Sequence, residues 1–321
     1  MKAVVFERYG PPAVLKYKVV GEPVFTDDQL LIQVKACSVN PVDFKIRRGD
    51  LKMLSGKKFP KVNGSDFSGV VVKAGKNVKR FQPGDKVYGS LNALRGGAYA
   101  EMVVADEELV SLKPEGMSFI EAACLPIAAL TALKSLKDLG GIKAGQHVLI
   151  NGCTGGVGSM AIQMAKKYFD AKVTGVCSTG NIDLAKALGA DQVIDYKKDD
   201  LWSADELFDI FFDVSATATY PQAKKLLKPK GTYIFTLPSL QSMFVWPLLS
   251  LFSFRKSKVI LLKKQREDWE LLNDIIDLGY LKVVVDKVFP IEEIEAAHEY
   301  AESGKVRGKI AIIVSKYSRL A

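Results

Sequence analysis

A glycine-rich turn between two apolar stretches is the part of the sequence whose residue types most directly suggest chemistry. Residues 147–151 are a short apolar run, 152–158 hold four glycines, and 159–167 are small and apolar at helical spacing. Strand, turn and helix in this order can hold the pyrophosphate of a dinucleotide on the helix N-terminus. Gly155 would let the backbone approach the phosphates, and Gly158 would let the helix pack close to the strand.

The glycine pattern is imperfect, because Cys153 stands where the first glycine of G-x-G-x-x-G belongs. A purely structural turn is the alternative. The next strand, 172–177, ends about twenty residues on, where an NAD site carries Asp or Glu for the ribose 2′-hydroxyl. Here Ser178 and Asn181 follow instead, and the first carboxylate is Asp183. Small hydroxyl and amide side chains suit a 2′-phosphate, so this loop favours NADPH over NADH, although no Arg occupies it.

Length and composition indicate how many domains the chain can form and in which compartment it would fold. With 321 residues, 48% of them hydrophobic and 25% charged, the chain has room for two globular domains. The first residues show no signal-peptide pattern. The four cysteines lie far apart and lack C-x-x-C spacing, so neither a zinc site nor a disulfide framework is expected. A cytoplasmic protein with reduced thiols is the expectation.

The net charge of +9 is concentrated in two runs. Residues 45–61 hold seven basic residues against one Asp, and residues 255–266 hold six against none. A solvated, phosphate-attracting face is the preferred interpretation, and a nucleic-acid or membrane surface is the alternative.

The elements that would position these residues fall into two patterns. The first 120 residues read as short strands between Gly and Pro turns, without a long amphipathic helix. A capping box, Ser118 to Glu121, predicts a helix running to Leu136. From His147 onward strand and helix alternate, which indicates a parallel sheet covered on both faces. The predicted strands there are 193–194, 209–214, 232–236, 259–262, 282–285 and 309–314, and the predicted helices are 183–188, 220–227, 267–278 and 291–301.

Motifs along nearly the whole chain give it a resemblance to a known family. They are Tyr9-Gly10-Pro11-Pro12, Asn40-Pro41-Val42-Asp43-Phe44-Lys45, Gly64-Ser65-Asp66-Phe67-Ser68-Gly69, the segments 81–89 and 130–132, Thr154-Gly155-Gly156-Val157-Gly158, and 188–196. In this order they resemble the medium-chain dehydrogenase/reductase superfamily, in its zinc-free quinone oxidoreductase branch, closest to the enone oxidoreductases and chloroplast-envelope-type quinone oxidoreductases. The resemblance implies an α/β protein: a mostly β GroES-like catalytic domain, 1–122 and 264–321, and a Rossmann domain with a doubly wound parallel sheet, 123–263.

The resemblance also bears on zinc. Zinc alcohol dehydrogenases have a Cys ligand where this chain has Asn40, and a His-Glu pair where it has Ser65-Asp66. Amide and hydroxyl groups are poor zinc ligands beside thiolate and imidazole. The structural zinc lobe is absent between Tyr88 and Ala105, and the chain has two histidines in all. No metal is therefore expected.

Without a metal, the feasible task is hydride delivery to a carbon that is already electrophilic, in a quinone ring or conjugated to a carbonyl. Asn40 would donate to the substrate carbonyl or the nicotinamide ribose, or serve only as a structural turn before Pro41. Lys45 would stabilise the developing enolate oxygen. Several quinone oxidoreductases have Tyr at this position, and the alternative for Lys45 is a solvated member of the basic run. Asp43 would orient Lys45 or the loop.

For the cofactor, the resemblance places Thr131 near the nicotinamide and Gly155, Gly156, Val157 and Gly158 at the pyrophosphate. It places Ser178, Asn181 and Tyr196 around the adenosine 2′-phosphate. Asn181 replaces a basic residue of some relatives, for which Lys305 or Lys309 would compensate. Ser215, just past a predicted strand, is a further cofactor contact expected at the carboxyl edge of the sheet.

The leading hypothesis is an NADPH-dependent, zinc-independent reductase of α,β-unsaturated carbonyls, and the same residues would serve an NADPH quinone reductase. The alternative of another class is a non-catalytic NADPH-binding protein that uses its basic face on nucleic acid.

An uncharged apolar segment, 242–254, precedes the second basic run. It is too short to span a bilayer, and Pro247 interrupts it. A pocket lid or a subunit interface is preferred to a peripheral membrane patch formed by Phe244 and Trp246. We expect a homodimer.

Overall fold

The computed structural model describes residues 1–203, 206–237, 245–251 and 253–314. The chain divides into two compact units. One comprises 1–127, 264–270 and the described part of 285–321, and the other comprises 128–263 and 271–284. The division differs from the predicted boundaries at 123–127 and 271–284. Two sets of contacts explain the later crossing: Trp269 packs edge-on against Tyr88, while Lys282 exchanges two backbone hydrogen bonds with the Gln163 side chain, both at 2.9 Å.

The first unit is mostly β, as predicted. Its elements up to the crossing are β1 (Lys2–Phe6), β2 (Lys16–Val19), β3 (Gln29–Val39), α1 (Pro41–Arg48), α2 (Lys52–Ser55), β4 (Lys61–Val62), β5 (Asp66–Ala74), β6 (Lys86–Ser90), β7 (Met102–Asp106), β8 (Val110–Leu112) and α3 (Phe119–Ala123). The helix α4 (Pro126–Lys134) then leads into the second unit.

The second unit alternates strand and helix. Its elements are β9 (His147–Asn151), α5 (Gly156–Gln163), β10 (Lys172–Cys177), α6 (Ile182–Leu188), β11 (Gln192–Asp195), β12 (Phe208–Asp213), α7 (Tyr220–Lys225), β13 (Leu227–Phe235), α8 (Trp246–Leu251) and β14 (Lys256–Val259). The helix α9 (Arg266–Asp277) belongs to both units, and β15 (Val285–Pro290), α10 (Ile294–Glu302) and β16 (Lys309–Ile313) complete the first.

The sheet of the second unit has the strand order β11-β10-β9-β12-β13-β14, and every pairing is parallel. The chain order reverses between β9 and β12, so the crevice where such sheets bind dinucleotides lies at the carboxyl end of β9. The glycine turn follows β9 directly. A buried aromatic cluster that includes Phe211, Tyr233 and Phe235 packs this unit.

The first unit contains a small sheet, β2-β1-β4, and a larger one, β15-β16-β3-β5-β6-β8, with β7 paired to β3. Alternate residues of these strands point into one apolar core that includes Phe6, Ile32, Phe67 and Ile312. The long strand β3 is the centre of the large sheet, because it pairs with β5, β7 and β16. It ends one residue before Asn40.

Several local predictions need correction. The helix α1 was not predicted, since its residues read as a turn and part of a basic run. The predicted strand 282–285 begins only at Val285 and runs to Pro290. The capping box from Ser118 to Glu121 is present, but the helix it starts ends at Ala123, and a separate helix, α4, begins at Pro126.

The structure describes only part of the apolar segment 242–254, and Phe244 lies outside the described residues. The Trp246 ring packs against Tyr233 and Phe235, with centroids 6.0 and 5.1 Å away. These contacts hold the ring against the second unit, and Trp246 remains partly exposed. None of the described helices combines the length and apolar character needed to cross a bilayer.

Each basic run combines exposed residues, such as Lys52, Lys57 and Lys256, with others that are bound within the chain. In the first, Arg47 is fully buried and pairs with Glu302. In the second, Arg255 donates to the Leu227 carbonyl at 2.6 Å and Lys258 donates to the Leu139 carbonyl at 2.6 Å. Cations bound to backbone carbonyls in this way contribute less to a phosphate-binding face.

Candidate active site

Asn40 lies between β3 and α1 and caps the helix. Its backbone is extended, with φ −120° and ψ 152°, and Pro41 fills the first helical position, where a missing N–H costs nothing. The Asn40 N–H donates to Oδ2 of Asp43 at 2.8 Å. The structural turn role predicted for Asn40 is therefore present, and it involves the backbone rather than the side-chain amide.

Three strand ends meet around that amide. Asp66 is the first residue of β5 and Lys309 the first of β16, and both strands pair with the last residues of β3. Asn40 Nδ2 donates to Asp66 Oδ2 at 2.9 Å, and Lys309 Nζ donates to Asn40 Oδ1 at 2.6 Å. The three residues are 2%, 0% and 4% exposed. The sheet topology thus builds a buried amide, carboxylate and ammonium cluster from distant parts of the chain.

Further hydrogen bonds hold the two charged members. Asp66 accepts the Ile127 N–H at 3.2 Å and the Ser38 hydroxyl at 3.4 Å. Lys309 also donates to the Val39 carbonyl at 3.2 Å. Because Lys309 is buried here, it is not free to compensate for Asn181 at a 2′-phosphate, contrary to one expectation from the sequence.

Asp43 is a second buried carboxylate, and it anchors the start of α1. Oδ1 accepts the Ser65 hydroxyl at 2.7 Å, and Oδ2 accepts the Asn40 N–H and the Tyr99 hydroxyl, the latter at 3.2 Å. Burial raises the pKa of Asp43 to about 6, and the bonds from Ser65 and Asn40 oppose that shift. None of its hydrogen bonds to the described residues involves Lys45, so Asp43 orients the loop and not the lysine.

Lys45 lies on α1 and is half-buried. Burial lowers the pKa of its ammonium group, the neighbouring Arg48 lowers it further, and Asp50 opposes the shift. A cation that has lost part of its hydration interacts more strongly with an anion that forms beside it. Lys45 is therefore better suited to charge stabilisation than a fully solvated member of the basic run.

Lys264 is a half-buried lysine, although the sequence predicted it only as one member of the second basic run. Its Nζ donates to the Ser90 and Leu91 carbonyls, both at 2.8 Å. Burial lowers the pKa of Lys264 to about 8, and the charge of Asp66 opposes the shift. This places a second cation within electrostatic range of Asp66.

The residues at the zinc-ligand positions of the resemblance do not fit a zinc ion. The Asn40 amide and the Ser65 hydroxyl are weak zinc ligands, and both are hydrogen-bonded within the chain. The Lys309 ammonium places a positive charge where a metal would have to approach. Across the described ranges, no group of three or more His, Cys, Asp or Glu side chains is arranged to hold a metal.

The glycine turn of the second unit fits a dinucleotide phosphate. A Cβ at Gly158 would lie 2.2 Å from the Gly152 carbonyl oxygen, so glycine is required for α5 to start so close to the turn. At Gly155 the backbone is extended, and a Cβ would meet only that same oxygen, at 3.6 Å. The protein itself therefore does not require glycine at 155, whereas a ligand approaching the backbone would. Gly156 and Val157 form the first turn of α5.

The residues predicted for the 2′-phosphate gather at the carboxyl ends of β10 and β11. Asn181 Nδ2 donates to the Ser178 hydroxyl at 3.3 Å, and the Tyr196 N–H donates to the Cys177 carbonyl at 3.1 Å. Tyr196 is 58% exposed. A carboxylate also lies here, Asp195 at the end of β11. The sequence did not point to Asp195, because the acid of an NAD site is expected after β10 and not after β11.

The Asp195 carboxylate already accepts hydrogen bonds from within the chain. Oδ2 accepts the Thr179 hydroxyl at 2.6 Å, and Oδ1 accepts the Lys197 N–H at 3.1 Å. These bonds connect the loop after β10 to the loop after β11. Two exposed lysines, Lys197 and Lys198, follow Tyr196.

The remaining predicted cofactor residues also belong to the second unit. Ser215 lies beside the glycine turn, since a Cβ at Gly152 would be 3.1 Å from Ser215 Cβ. Its hydroxyl donates to Asp213 Oδ1 at 3.0 Å. Thr131 is buried on α4, and its hydroxyl forms no hydrogen bond with the described part of the chain. The structure thus joins Ser215 to the turn and leaves the Thr131 hydroxyl available to a ligand.

The sequence carried little signal for Lys309 or Lys264. Lys309 opens an apolar run, Ile310 to Ile313, which predicts a buried strand. A lysine at the start of a buried strand is more often solvated than buried. The paired strand ends that enclose it become visible only in the folded sheet.

Comparisons with known proteins agree with the fold. Residues 26–115 match the alcohol dehydrogenase GroES-like domain family, and residues 188–312 match the zinc-binding dehydrogenase family. The chain is 37% identical to 2-methylene-furan-3-one reductase of Solanum lycopersicum, over 97% of this chain and 79% of that protein. It is 36% identical to an NADPH-dependent alkenal/one oxidoreductase, chloroplastic, of Arabidopsis thaliana, with the same coverage.

Among solved structures, the quinone oxidoreductase from Coxiella burnetii superposes with a TM-score of 0.91. It is 34% identical, and the match covers 98% of this chain and 99% of that one. The identities over nearly the full length and the shared two-unit pattern confirm the resemblance drawn from the motifs. The chain belongs to the medium-chain dehydrogenase/reductase superfamily, in the branch of NAD(P)H-dependent quinone and enone oxidoreductases.

Proposed function

We propose that this enzyme is an NADPH-dependent, zinc-independent reductase that transfers hydride to the conjugated double bond of α,β-unsaturated carbonyls. The observation that carries the proposal is the buried Asn40 amide, which has one N–H without a partner among the described residues, followed on the same segment by the half-buried Lys45. Hydrogen-bond donors and cations of this kind stabilise the negative charge that develops on a carbonyl oxygen.

The chain's own residues supply binding and charge. Bound nicotinamide would supply the hydride. The glycine turn and α5 would hold the pyrophosphate, and the Thr131 hydroxyl would contact the nicotinamide. Asn40 and Lys45 would face the substrate carbonyl, so that charge moving onto its oxygen meets an N–H donor and an ammonium group.

The preference for NADPH rests on the loop around Ser178, Asn181 and Tyr196. It offers hydroxyl and amide groups, and the nearby Asp195 carboxylate is bonded to Thr179 and Lys197 rather than left free for a ribose hydroxyl. The Arabidopsis relative is named as NADPH-dependent.

Quinone reduction is the second candidate, favoured by the likeness to the Coxiella burnetii quinone oxidoreductase. Steady-state rates on a small enone and on a benzoquinone, each with NADPH and with NADH, separate the possibilities. We expect the enone to be turned over faster than the benzoquinone, and faster with NADPH than with NADH. Turnover of the quinone alone would assign the second function, and equal rates with both cofactors would overturn the role given to Ser178 and Asn181.

We also propose a homodimer that uses the edge of the second sheet. β14 is the last strand of that sheet, and exposed apolar side chains lie near it, Leu248, Leu249 and Phe254. Changing Leu248 and Leu249 to Ser should convert a dimer to a monomer in light scattering after size exclusion. A wild-type monomer at micromolar concentration would contradict this part of the proposal.

A cytoplasmic location remains part of the proposal. Its support is that all four cysteines are free and buried, as suits a reducing compartment. Fractionation of the source cells with an antibody to the protein would test it.

A further inference from the structure

The Asn40 amide has an orientation that its neighbours determine without ambiguity. A lysine ammonium can only donate hydrogen bonds, and an ionised carboxylate can only accept them. Lys309 therefore has to face Oδ1 and Asp66 has to face Nδ2, at 2.6 and 2.9 Å. A primary amide has two N–H groups, and only one of them is used.

We infer that Lys309 and Asp66 are positioning residues that clamp the Asn40 amide from both ends and leave its second N–H as the donor to the substrate carbonyl oxygen. The inference rests on the proposed function and deepens it. It assigns a role in the reaction to a lysine near the end of the chain.

The clamp would do more than fix a direction. A hydrogen bond to an amide oxygen withdraws electron density and strengthens the remaining N–H as a donor, and such effects are larger in a buried setting. Lys309 also supplies a positive charge near the site, so a fixed cation lies beside Asn40, which stands where the zinc enzymes of the superfamily have a Cys ligand. Asp66 balances that charge.

A double-mutant cycle tests the coupling. Lys309→Met removes the ammonium and keeps most of the apolar stem. We expect kcat for a small enone to fall about 10- to 100-fold, since loss of a whole oxyanion donor costs about 10²–10³. The KM for NADPH should stay within about twofold, since the cofactor phosphate sites are untouched. In an Asn40→Ala background the same change should lower kcat less than twofold, because Lys309 acts through Asn40.

Two further variants serve as a conservative replacement and a control. Lys309→Arg keeps a donor and should recover part of kcat, and Lys287→Met, at an exposed lysine of the neighbouring strand β15, should leave the kinetics unchanged. If Lys309→Met does not fold, Lys309→Gln, which keeps a neutral donor, takes its place. Equal losses in the wild-type and Asn40→Ala backgrounds would overturn the inference, as would an unchanged kcat in folded Lys309→Met.

A readout without substrate separates this inference from the proposed function. In protein labelled with ¹⁵N-asparagine, the side-chain signals missing from Asn40→Ala identify the Asn40 amide. We expect slow exchange with solvent in the wild type and faster exchange in Lys309→Met. Equal exchange in both proteins would refute the clamp. Slow exchange in a wild-type enzyme that reduces no enone would keep the clamp and reject the reaction.

Discussion

The two candidate sites, one in each unit, are built in opposite ways. The glycine turn of the second unit consists of consecutive residues, and its geometry depends on the absence of a side chain at Gly158. The cluster around Asn40 in the first unit consists of residues 40, 66 and 309, and its geometry depends on charged side chains that meet. A local backbone motif can be recognised from a sequence, whereas a cluster assembled from three strand ends requires the fold.

Gly158→Ala should have the largest effect on the turn. Its Cβ would lie 2.2 Å from the Gly152 carbonyl oxygen, so backbone must move, and overpacking of this kind costs about 1–3 kcal/mol or more. We expect a drop of at least about 3 kcal/mol in unfolding free energy in urea, and loss of NADPH binding. Gly155→Ala is the matched control: its stability should stay near the wild-type value while the Kd for NADPH rises about tenfold. Equal destabilisation by the two changes would contradict the division of roles.

Asp43→Asn tests the buried charges of the first unit. The pKa of Asp43 is raised from 3.8 to about 6. Between these two pH values the folded protein therefore retains a proton on Asp43 that the unfolded chain has lost. This contribution to stability is complete below about pH 4 and is lost as the pH rises through 6, a change of about 3 kcal/mol.

The measurement is urea unfolding of the wild type and Asp43→Asn across pH 4 to 7. The wild type should lose stability relative to the variant as the pH rises. Parallel curves would mean that the folded protein does not hold this proton.

Lys45→Met tests the chemistry of the first site. Loss of a cation beside the developing oxyanion should lower kcat for an enone about 10²-fold, with little change in the KM for NADPH. The exposed neighbour Lys52, changed to Met, is the control and should behave as the wild type. A rise in substrate KM with kcat preserved would show instead that Lys45 only binds the substrate.

Ser178→Asp should have the smallest effect, confined to cofactor choice. A carboxylate at this position would repel a 2′-phosphate and accept a ribose hydroxyl, so the ratio of kcat/KM for NADPH over NADH should fall about tenfold. Asp183→Asn, five residues on in the first turn of α6, removes a negative charge and provides the comparison. An unaltered ratio in Ser178→Asp would move the 2′-phosphate contact elsewhere in the loop.

The contrast between the sites also explains how much the sequence predicted. Hydrophobic periodicity and turn residues located the Rossmann elements to within a few residues, and the motifs identified the family. The α1 helix was missed because Pro41 and the basic residues after it read as a turn. Trp246 was predicted to lie in a pocket lid or a subunit interface, and the sequence did not show that its ring packs against the aromatic residues 11 and 13 positions earlier. Lys309 could not be placed, since no local pattern shows that strand β16 starts beside the end of β3.

The most direct test of the account follows the hydride itself. NADPH carrying deuterium at the transferable C4 position is mixed with the enzyme and a small enone, and the product is analysed by mass spectrometry and NMR. We expect a saturated ketone with one deuterium at the β-carbon, formed much more slowly by Asn40→Ala. Enone recovered unchanged, while a parallel reaction with a benzoquinone in place of the enone oxidises the NADPH, would contradict it.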